Sequence, residues 1–168
     1  MPYIAIKGYP KDEETVRKVA EQINQTLLEL WGCPQAAINI SYEAIPPEQW
    51  DAQVERGEIL EKMDRMLIHS GKRLYGAKKL TVFHLTGCPY CANARRAVEE
   101  LRAENPDYAA VNMEWIEEEE QPEVAERYDY YRVPTIFAGE EKLYEASPGE
   151  GYEEIKAAMK RAFDAALS

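Results

Sequence analysis

Two cysteines separated by two residues, Cys88 and Cys91, constrain this chain more than any other feature. An apolar run, 80–85, precedes them and a stretch of helical character, 92–102, follows, so the pair lies where a strand leads into a helix. Free N–H groups and the positive end of the helix dipole stabilise a thiolate at such a point. Cys88 is therefore the expected nucleophile. Cys91, one helical turn later, is placed to attack a mixed disulfide formed on Cys88.

A cysteine pair of this spacing can also be half of a zinc site. The chain offers only Cys33, His69 and His84 as further ligands, and none of them has the spacing of a second ligand pair. We therefore expect redox chemistry and no metal site. Cys33, between Gly and Pro, is expected to be an inert, partly buried thiol, whereas His84 is close enough in sequence to influence Cys88.

Charge and hydropathy limit the partners of the chain. The formal net charge of −11 argues against nucleic acid and anionic membrane surfaces as partners. The acidity is concentrated in residues 78–168, which hold 11 basic and 19 acidic side chains. No run approaches the ~18 apolar residues of a membrane span, and the N-terminus lacks a signal pattern. These features predict a cytoplasmic protein whose dithiol stays reduced or cycles.

Residues 79–168 resemble the thioredoxin superfamily, and Cys88-Pro89-Tyr90-Cys91 is the motif typical of dithiol glutaredoxins. The resemblance continues through an expected strand at 111–116, a helix at 122–130, the segment 132–137, a last strand at 140–145 and a closing helix at 151–167. It implies a thioredoxin fold in which 132–137 is the segment whose proline, Pro134, is cis and faces the cysteines, so that its backbone does not pair as an ordinary strand. The backbone of Val133 is then free to pair with a substrate chain, and Tyr90, Val133 and Pro134 are the expected substrate-binding residues.

Two segments differ from the glutathione-using members of that family. Those members place a basic residue shortly before the first cysteine and a Gly-Gly-x-x-Asp turn before the last helix, whereas this chain has Leu-Thr-Gly at 85–87 and Ser-Pro-Gly-Glu-Gly at 147–151. The expected partner is a disulfide-containing protein or a small thiol. No bound cofactor is expected, and glutathione and a reductase are the candidate electron donors. A dimer that bridges a [2Fe–2S] centre through Cys88, as in some glutaredoxins, is a weaker alternative.

The first part of the chain predicts one βαβ unit. A strand at 2–7 is followed by a helix from Asp12 to Trp31 and by an alternating strand at 37–42. A second helix is expected at 52–70, after a break at 45–50, and a short linker at 76–78 separates this first domain, 1–75, from the second, 79–168. Two strands and two helices form a marginal core, so we expect a homodimer through this half.

Residues 1–75 also resemble the 4-oxalocrotonate tautomerase family, especially its small dimeric branch. The resemblance rests on Pro2 before an Ile-rich strand, the helix from Asp12, the strand at 37–42 and the segment 45–50. It implies that Met1 is removed and that Pro2 is the catalytic base, with Trp50 at the pocket wall. An α-amino group titrates near ~8 in water, and an apolar pocket favours its neutral form. Lys11 and Asn39 occupy the positions expected to hold the acid group of a small enol or keto acid.

The sequence therefore predicts an α/β protein in which a tautomerase-like βαβ domain is fused to a thioredoxin-fold domain. The expected function is that of a bifunctional enzyme, a thiol–disulfide oxidoreductase that also tautomerises a small enol acid. The alternative is a redox protein whose first half is a non-catalytic dimerisation or ligand-binding module.

Overall fold

The computed structural model describes residues 1–168, which divide into two compact units, Met1–Glu61 and Lys62–Ser168. Residues 62–78 thus lie in the second unit, although the sequence assigns 62–75 to the first domain and 76–78 to a linker. None of the helices is long and apolar enough to cross a membrane.

The first unit contains the expected βαβ arrangement. Its elements are β1 (Tyr3–Gly8), α1 (Glu13–Thr26), β2 (Asn39–Ala44) and α2 (Pro47–Trp50). The two strands pair in parallel, from Tyr3 opposite Asn39 to Gly8 opposite Ala44. Asp12 caps α1, because its carboxylate accepts the backbone N–H of Thr15 at 2.8 Å.

The core of the first unit is small. Its buried apolar residues are Leu27, Ile45 and Val54, and no residue of α1 is buried. Leu30 and Trp31, in the π-helical turn Leu27–Trp31 that follows α1, are 84% and 69% exposed. With so few side chains buried, much apolar surface of this unit stays exposed.

The expected helix at 52–70 is wrong at both ends. Helical structure begins at Pro47, a residue well suited to a first helical position, and continues through the π-helical Asp51–Ile59 and the 3₁₀-helical Leu60–Arg65. It is followed by a hairpin, β3 (Ile68–His69) and β4 (Lys72–Arg73). The turn residues Ser70 and Gly71 both have positive φ, the backbone that a two-residue hairpin requires.

The second unit is built on a four-stranded sheet in the order β6-β5-β7-β8. The strands are β5 (Leu80–His84), β6 (Met113–Glu117), β7 (Thr135–Ala138) and β8 (Glu141–Glu145). Strand β6 is parallel to β5, whereas β7 is antiparallel to β5 and β8 is antiparallel to β7. Three helices complete the unit: α3 (Pro89–Glu104), α4 (Pro122–Ala125) and α5 (Tyr152–Leu167). Helix α4 ends at Ala125 instead of extending to residue 130.

The core of the second unit explains the position of its loops. Every residue of β5 is buried. Helices α3 and α5 form the main core with the sheet, and its buried residues include Leu80, Val82, Ala94, Val98, Ile136, Ile155, Met159 and Phe163. Because β5 and β7 are antiparallel, with Phe83 opposite Thr135, the end of β5 and the start of β7 share one edge of the sheet. The segments 85–88 and 132–134 therefore meet there.

Candidate active site

Cys88 is the N-cap residue of α3. Its Sγ accepts the backbone N–H of Cys91 at 3.3 Å, which is the contact expected for a sulfur at a helix N-terminus. Gly87, with φ +82°, makes the turn into the helix, and Pro89 occupies the first helical position. The Cys88 side chain is partly exposed and its thiol is free, so a disulfide can approach it from solvent.

Cys91 is the buried partner of Cys88. It is 2% exposed, and burial, followed by the hydrogen bond with Cys88, raises the pKa of its thiol to about 12. Cys91 is therefore protonated at neutral pH and shielded from solvent, which leaves Cys88 as the accessible sulfur of the pair.

The segment before β7 faces Cys88. The Val133–Pro134 peptide bond is cis, and the Cys88 Sγ lies 3.9 Å from the carbonyl oxygen of Val133. The Val133 N–H donates to no group of the chain, because the pairing of β7 begins at Thr135. An adjacent pocket of about 350 Å³ is lined by Leu85, Tyr90, Glu118, Tyr131, Arg132, Val133, Ala146, Ser147 and Pro148.

Tyr90 ties the cysteine motif to the turn before α5. Its hydroxyl oxygen accepts the backbone N–H of Gly149 at 3.1 Å. In the same turn, the carboxylate of Glu150 accepts the N–H of Ser147 at 2.9 Å and the hydroxyl of Tyr144 at 2.6 Å. Two N–H groups of this turn are therefore already used within the chain.

Glu117 holds the loop that precedes Cys88. Its carboxylate accepts three backbone N–H groups, those of Thr86 and Glu119 at 2.8 Å and of Glu120 at 3.1 Å. The hydrogen bond from Thr86 is the main reason that the pKa of Glu117 is lowered. The sequence gives no sign of this role for Glu117, because nothing in the run 117–120 distinguishes one glutamate from the next.

A second group beside the cysteines is the pair of His84 and Arg95, of which the sequence indicated only His84. His84, at the end of β5, is buried, and its Nε2 lies 2.9 Å from Nη2 of Arg95 on α3. The Arg95 guanidinium also stacks 4.2 Å above the ring of Trp115. Burial and then the charge of Arg95 lower the pKa of His84, so its ring is neutral at pH 7. His84 and Arg95 line a pocket of about 340 Å³ together with Cys88 and Cys91.

The candidate residues of the first unit do not converge in one chain. Pro2, joined to Met1 by an ordinary peptide bond, lies just before β1, where its carbonyl accepts the N–H of Asn39 at 3.2 Å. Trp50 lies against Tyr9, just after β1, with ring centroids 5.1 Å apart. At a rise of about 3.3 Å per residue, Tyr9, the ring that Trp50 contacts, lies roughly 20 Å from Pro2 along the strand direction.

Lys11 lines a different cavity of the first unit. This apolar groove of about 310 Å³ is lined by Ile6, Lys11, Thr15, Val16, Val19, Ala20, Ile40, Ser41 and Tyr42. The Asn39 side chain is exposed and bonds the carbonyl of Ala37 at 3.3 Å. Cys33 is partly buried, with its thiol 3.6 Å from the carbonyl of Leu27.

Comparison with known proteins supports the assignment of the second unit. The family model for glutaredoxin matches residues 80–143, which include both cysteines and Pro134. The chain is also 43% identical over 58 residues to a thioredoxin of Methanocaldococcus jannaschii. That match covers 34% of this chain and 66% of the thioredoxin, just under two thirds of its length. The sheet order, the buried β5 and the two matches together support a thioredoxin-like domain of the glutaredoxin and thioredoxin type in the second unit.

Proposed function

We propose that this protein is a thiol–disulfide oxidoreductase in which Cys88 is the nucleophile and Cys91 the resolving cysteine. The observation that carries the proposal is the asymmetry of the pair. Cys88 is partly exposed and its sulfur accepts a helix N-terminal N–H, whereas Cys91 is buried directly behind it. The backbone of Val133 next to Cys88 offers a free N–H and a carbonyl for pairing with an extended substrate.

The reaction proceeds in two exchanges. The Cys88 thiolate attacks one sulfur of a disulfide, forms a mixed disulfide and releases the other half as a thiolate. Cys91 then loses its proton and attacks the Cys88 sulfur, which releases the second half as a thiolate and closes the Cys88–Cys91 disulfide. The substrate gains two electrons and the protein dithiol loses them. An external donor must then reduce the protein again.

Reduction of insulin disulfides by dithiothreitol, with and without the protein, tests the assignment. Cys88→Ser should abolish the acceleration. Reduced Cys91→Ser, mixed with insulin after dithiothreitol has been removed, should accumulate a mixed disulfide on Cys88 that mass spectrometry of the intact protein detects. Parental activity in Cys88→Ser would show that another group is the nucleophile.

We further propose that the electron donor is a reductase or another dithiol rather than glutathione. The resemblance to glutaredoxins places the acid groups of glutathione at the turn before α5. In this chain the N–H groups of Ser147 and Gly149 in that turn already donate to Glu150 and Tyr90. Reduction of the Cys88–Cys91 disulfide should therefore be no faster with glutathione than with 2-mercaptoethanol, an unrelated monothiol, at equal thiolate concentration. A much faster reaction with glutathione would contradict the proposal.

For the first unit we propose a dimerisation module, with tautomerase activity as its second candidate function. The exposed apolar side chains, among them Leu30 and Trp31, support self-association. Trp31→Glu should then convert the full chain from dimer to monomer in sedimentation velocity, while the exposed substitution Glu29→Gln leaves it dimeric. A monomeric parent protein would contradict this role.

The tautomerase candidate rests on the βαβ unit and on Lys11 beside an apolar groove, the environment expected around a small enol acid. Because Pro2 and Trp50 lie at opposite ends of β1, a complete site would need a residue from a neighbouring chain. Ketonisation of phenylenolpyruvate by protein whose intact mass shows Met1 removed tests this, with Pro2→Ala as control. Activity that Pro2→Ala abolishes would establish Pro2 as a base; no activity would favour the non-catalytic module.

A further inference from the structure

Cys88, Cys91 and Arg95 form one stripe on α3. Their spacing of three and then four residues places them on the same helix face. Helical side chains lean toward the N-terminus of their helix, so the long side chain of Arg95 extends back toward the cysteines. The pocket of about 340 Å³ on this face is lined by both cysteines, Leu85, His84 and Arg95, among others. It lies apart from the pocket beside Val133, with which it shares only Leu85.

Arg95 differs sharply from the arginine next to it. Arg96 stacks 4.3 Å above the Tyr152 ring and is neutralised by Glu100, whose Oε1 accepts from its Nε at 2.9 Å. Arg95 also stacks on an aromatic ring, but its polar contact is the neutral Nε2 of His84. Its charge is thus uncompensated by a direct carboxylate contact, in a half of the chain that is strongly acidic.

None of the acidic side chains near His84 forms a salt bridge with Arg95. Glu117 and Glu120 both act electrostatically on His84. The Glu117 carboxylate is engaged by three backbone N–H groups. The guanidinium of Arg95 is fixed between His84 and Trp115, and after one hydrogen bond to His84 it keeps further N–H donors for a planar anion. A group held in this way loses little entropy when a carboxylate binds.

We propose that this pocket binds a carboxylate carried close to the disulfide of a small substrate, with Arg95 as the residue that recognises it. This inference deepens the proposed redox function and rests on it. The half of the substrate that becomes bonded to Cys88 places its carboxylate on Arg95, and the other half leaves as a thiolate. The subsequent attack of Cys91 on the Cys88 sulfur releases the bound half as a thiolate. No oxidant or reductant beyond the disulfide and the protein dithiol takes part in these two steps.

Two chromogenic disulfides of similar size test the proposal. Each half of dithiobis(nitrobenzoate) carries a carboxylate, whereas dithiodipyridine is neutral at pH 7. The second-order rate constant of the reduced protein with each probe is measured by stopped flow for the parent, Arg95→Gln and the control Arg96→Gln. Arg95→Gln should slow the reaction with the anionic probe by about threefold to fivefold, the upper part of the range of an exposed ion pair, and leave the rate with the neutral probe unchanged. Arg96→Gln should leave the ratio of the two rates unchanged.

Added salt and the conservative variant Arg95→Lys test whether the contact is ionic. The rate of the parent protein with the anionic probe should fall more steeply with added KCl than that of Arg95→Gln, because screening weakens an ionic contact. Arg95→Lys should keep part of the preference for the anionic probe. An equal fall for both probes in Arg95→Gln would overturn the proposal, since Arg95 would then act on Cys88 itself, and so would no change with either probe. Undiminished reaction of Cys88→Ser with both probes would instead refute the proposed nucleophile.

Discussion

The deep burial of Cys91 predicts that the second thiol exchange is slow at neutral pH and accelerates steeply with rising pH. Burial, with a smaller contribution from the Cys88 hydrogen bond, raises the pKa of Cys91 from 9.0 to about 12. At pH 7 a thiol with a pKa near 9 is about one part in a hundred thiolate, whereas one with a pKa near 12 is about one part in a hundred thousand. In the reduced protein the Cys91 thiolate is thus roughly a thousandfold scarcer than that of an ordinary thiol.

Formation of the mixed disulfide on Cys88 changes the pKa of Cys91. When Cys88 is held in a mixed disulfide, its sulfur is no longer a thiolate that accepts a hydrogen bond from the Cys91 thiol, so the smaller cause of the raised pKa of Cys91 is weakened. The larger cause, burial, remains unless the mixed disulfide opens the site. The rate of the second exchange should therefore still rise about tenfold for each pH unit between pH 6 and pH 9, because the thiolate fraction rises by that factor well below the pKa.

Stoichiometric dithiobis(nitrobenzoate) separates the two exchanges. The first equivalent of nitrothiobenzoate reports the attack of Cys88, and the second reports the attack of Cys91 on the mixed disulfide. Cys91→Ser should give the first phase and lack the second, which identifies the phases. A second-phase rate constant that stays flat between pH 6 and pH 9 would refute the reasoning, because Cys91 would then be ionised in the mixed disulfide at neutral pH.

Three further predictions concern the second unit. Asp107→Asn should lower its free energy of unfolding by about 2–4 kcal/mol, because this buried carboxylate lies 2.6 Å from His69 Nδ1 and 2.9 Å from Lys72 Nζ. Burial raises the pKa of Asp107, but the hydrogen bonds from His69 and Lys72 outweigh it and lower the pKa. The loss of stability in Asp107→Asn should therefore shrink as the pH falls through that lowered pKa. Guanidinium unfolding of parent and variant at pH 7 and pH 3 measures the loss and its pH dependence. In the same unfolding assay, Phe163→Ala should cost about 3–5 kcal/mol, because the ring is fully buried and stacks 4.6 Å from Tyr108. Glu117→Gln should slow insulin reduction, since it weakens the hold on Thr86, while Glu119→Gln, whose side chain is exposed, should not.

The second unit could be predicted from the sequence because its signals are local. The run 80–85 reads as a buried strand, and the structure has a strand at Leu80–His84. The position of the cysteines before a helix follows from their flanking residues, and the apolar spacing in 151–167 corresponds to Tyr152–Leu167. In such segments one pattern of side chains determines both the local structure and the face that is buried.

The features that the sequence did not reveal depend on distant pairings. Arg95 meets His84 and Trp115 only because β5 pairs with β6 and α3 packs beside them, and spacing along the chain does not encode that meeting. Likewise, residues 62–78 belong to the second unit because the hairpin is tied to the buried Asp107 and the Lys78 N–H bonds the carbonyl of Ala166 at 2.9 Å. A short polar segment before a strand looks like a linker until its distant partners are known.

The first unit is hard to interpret for a different physical reason. Its apolar positions were correctly located, since α1 and the two strands follow the expected pattern, yet few of these side chains are buried within the unit. Each apolar Å² left in water forgoes about 25 cal/mol, so a surface with Leu30 and Trp31 exposed gains stability when it is covered. A second copy of the chain brings a surface of the same character at the same concentration, and residues near Pro2 of one copy could then complete a pocket with residues of the other. The same interface between two copies would therefore form the dimer and complete the tautomerase site. The oligomeric state has to be measured before the result of the Pro2 assay can be interpreted.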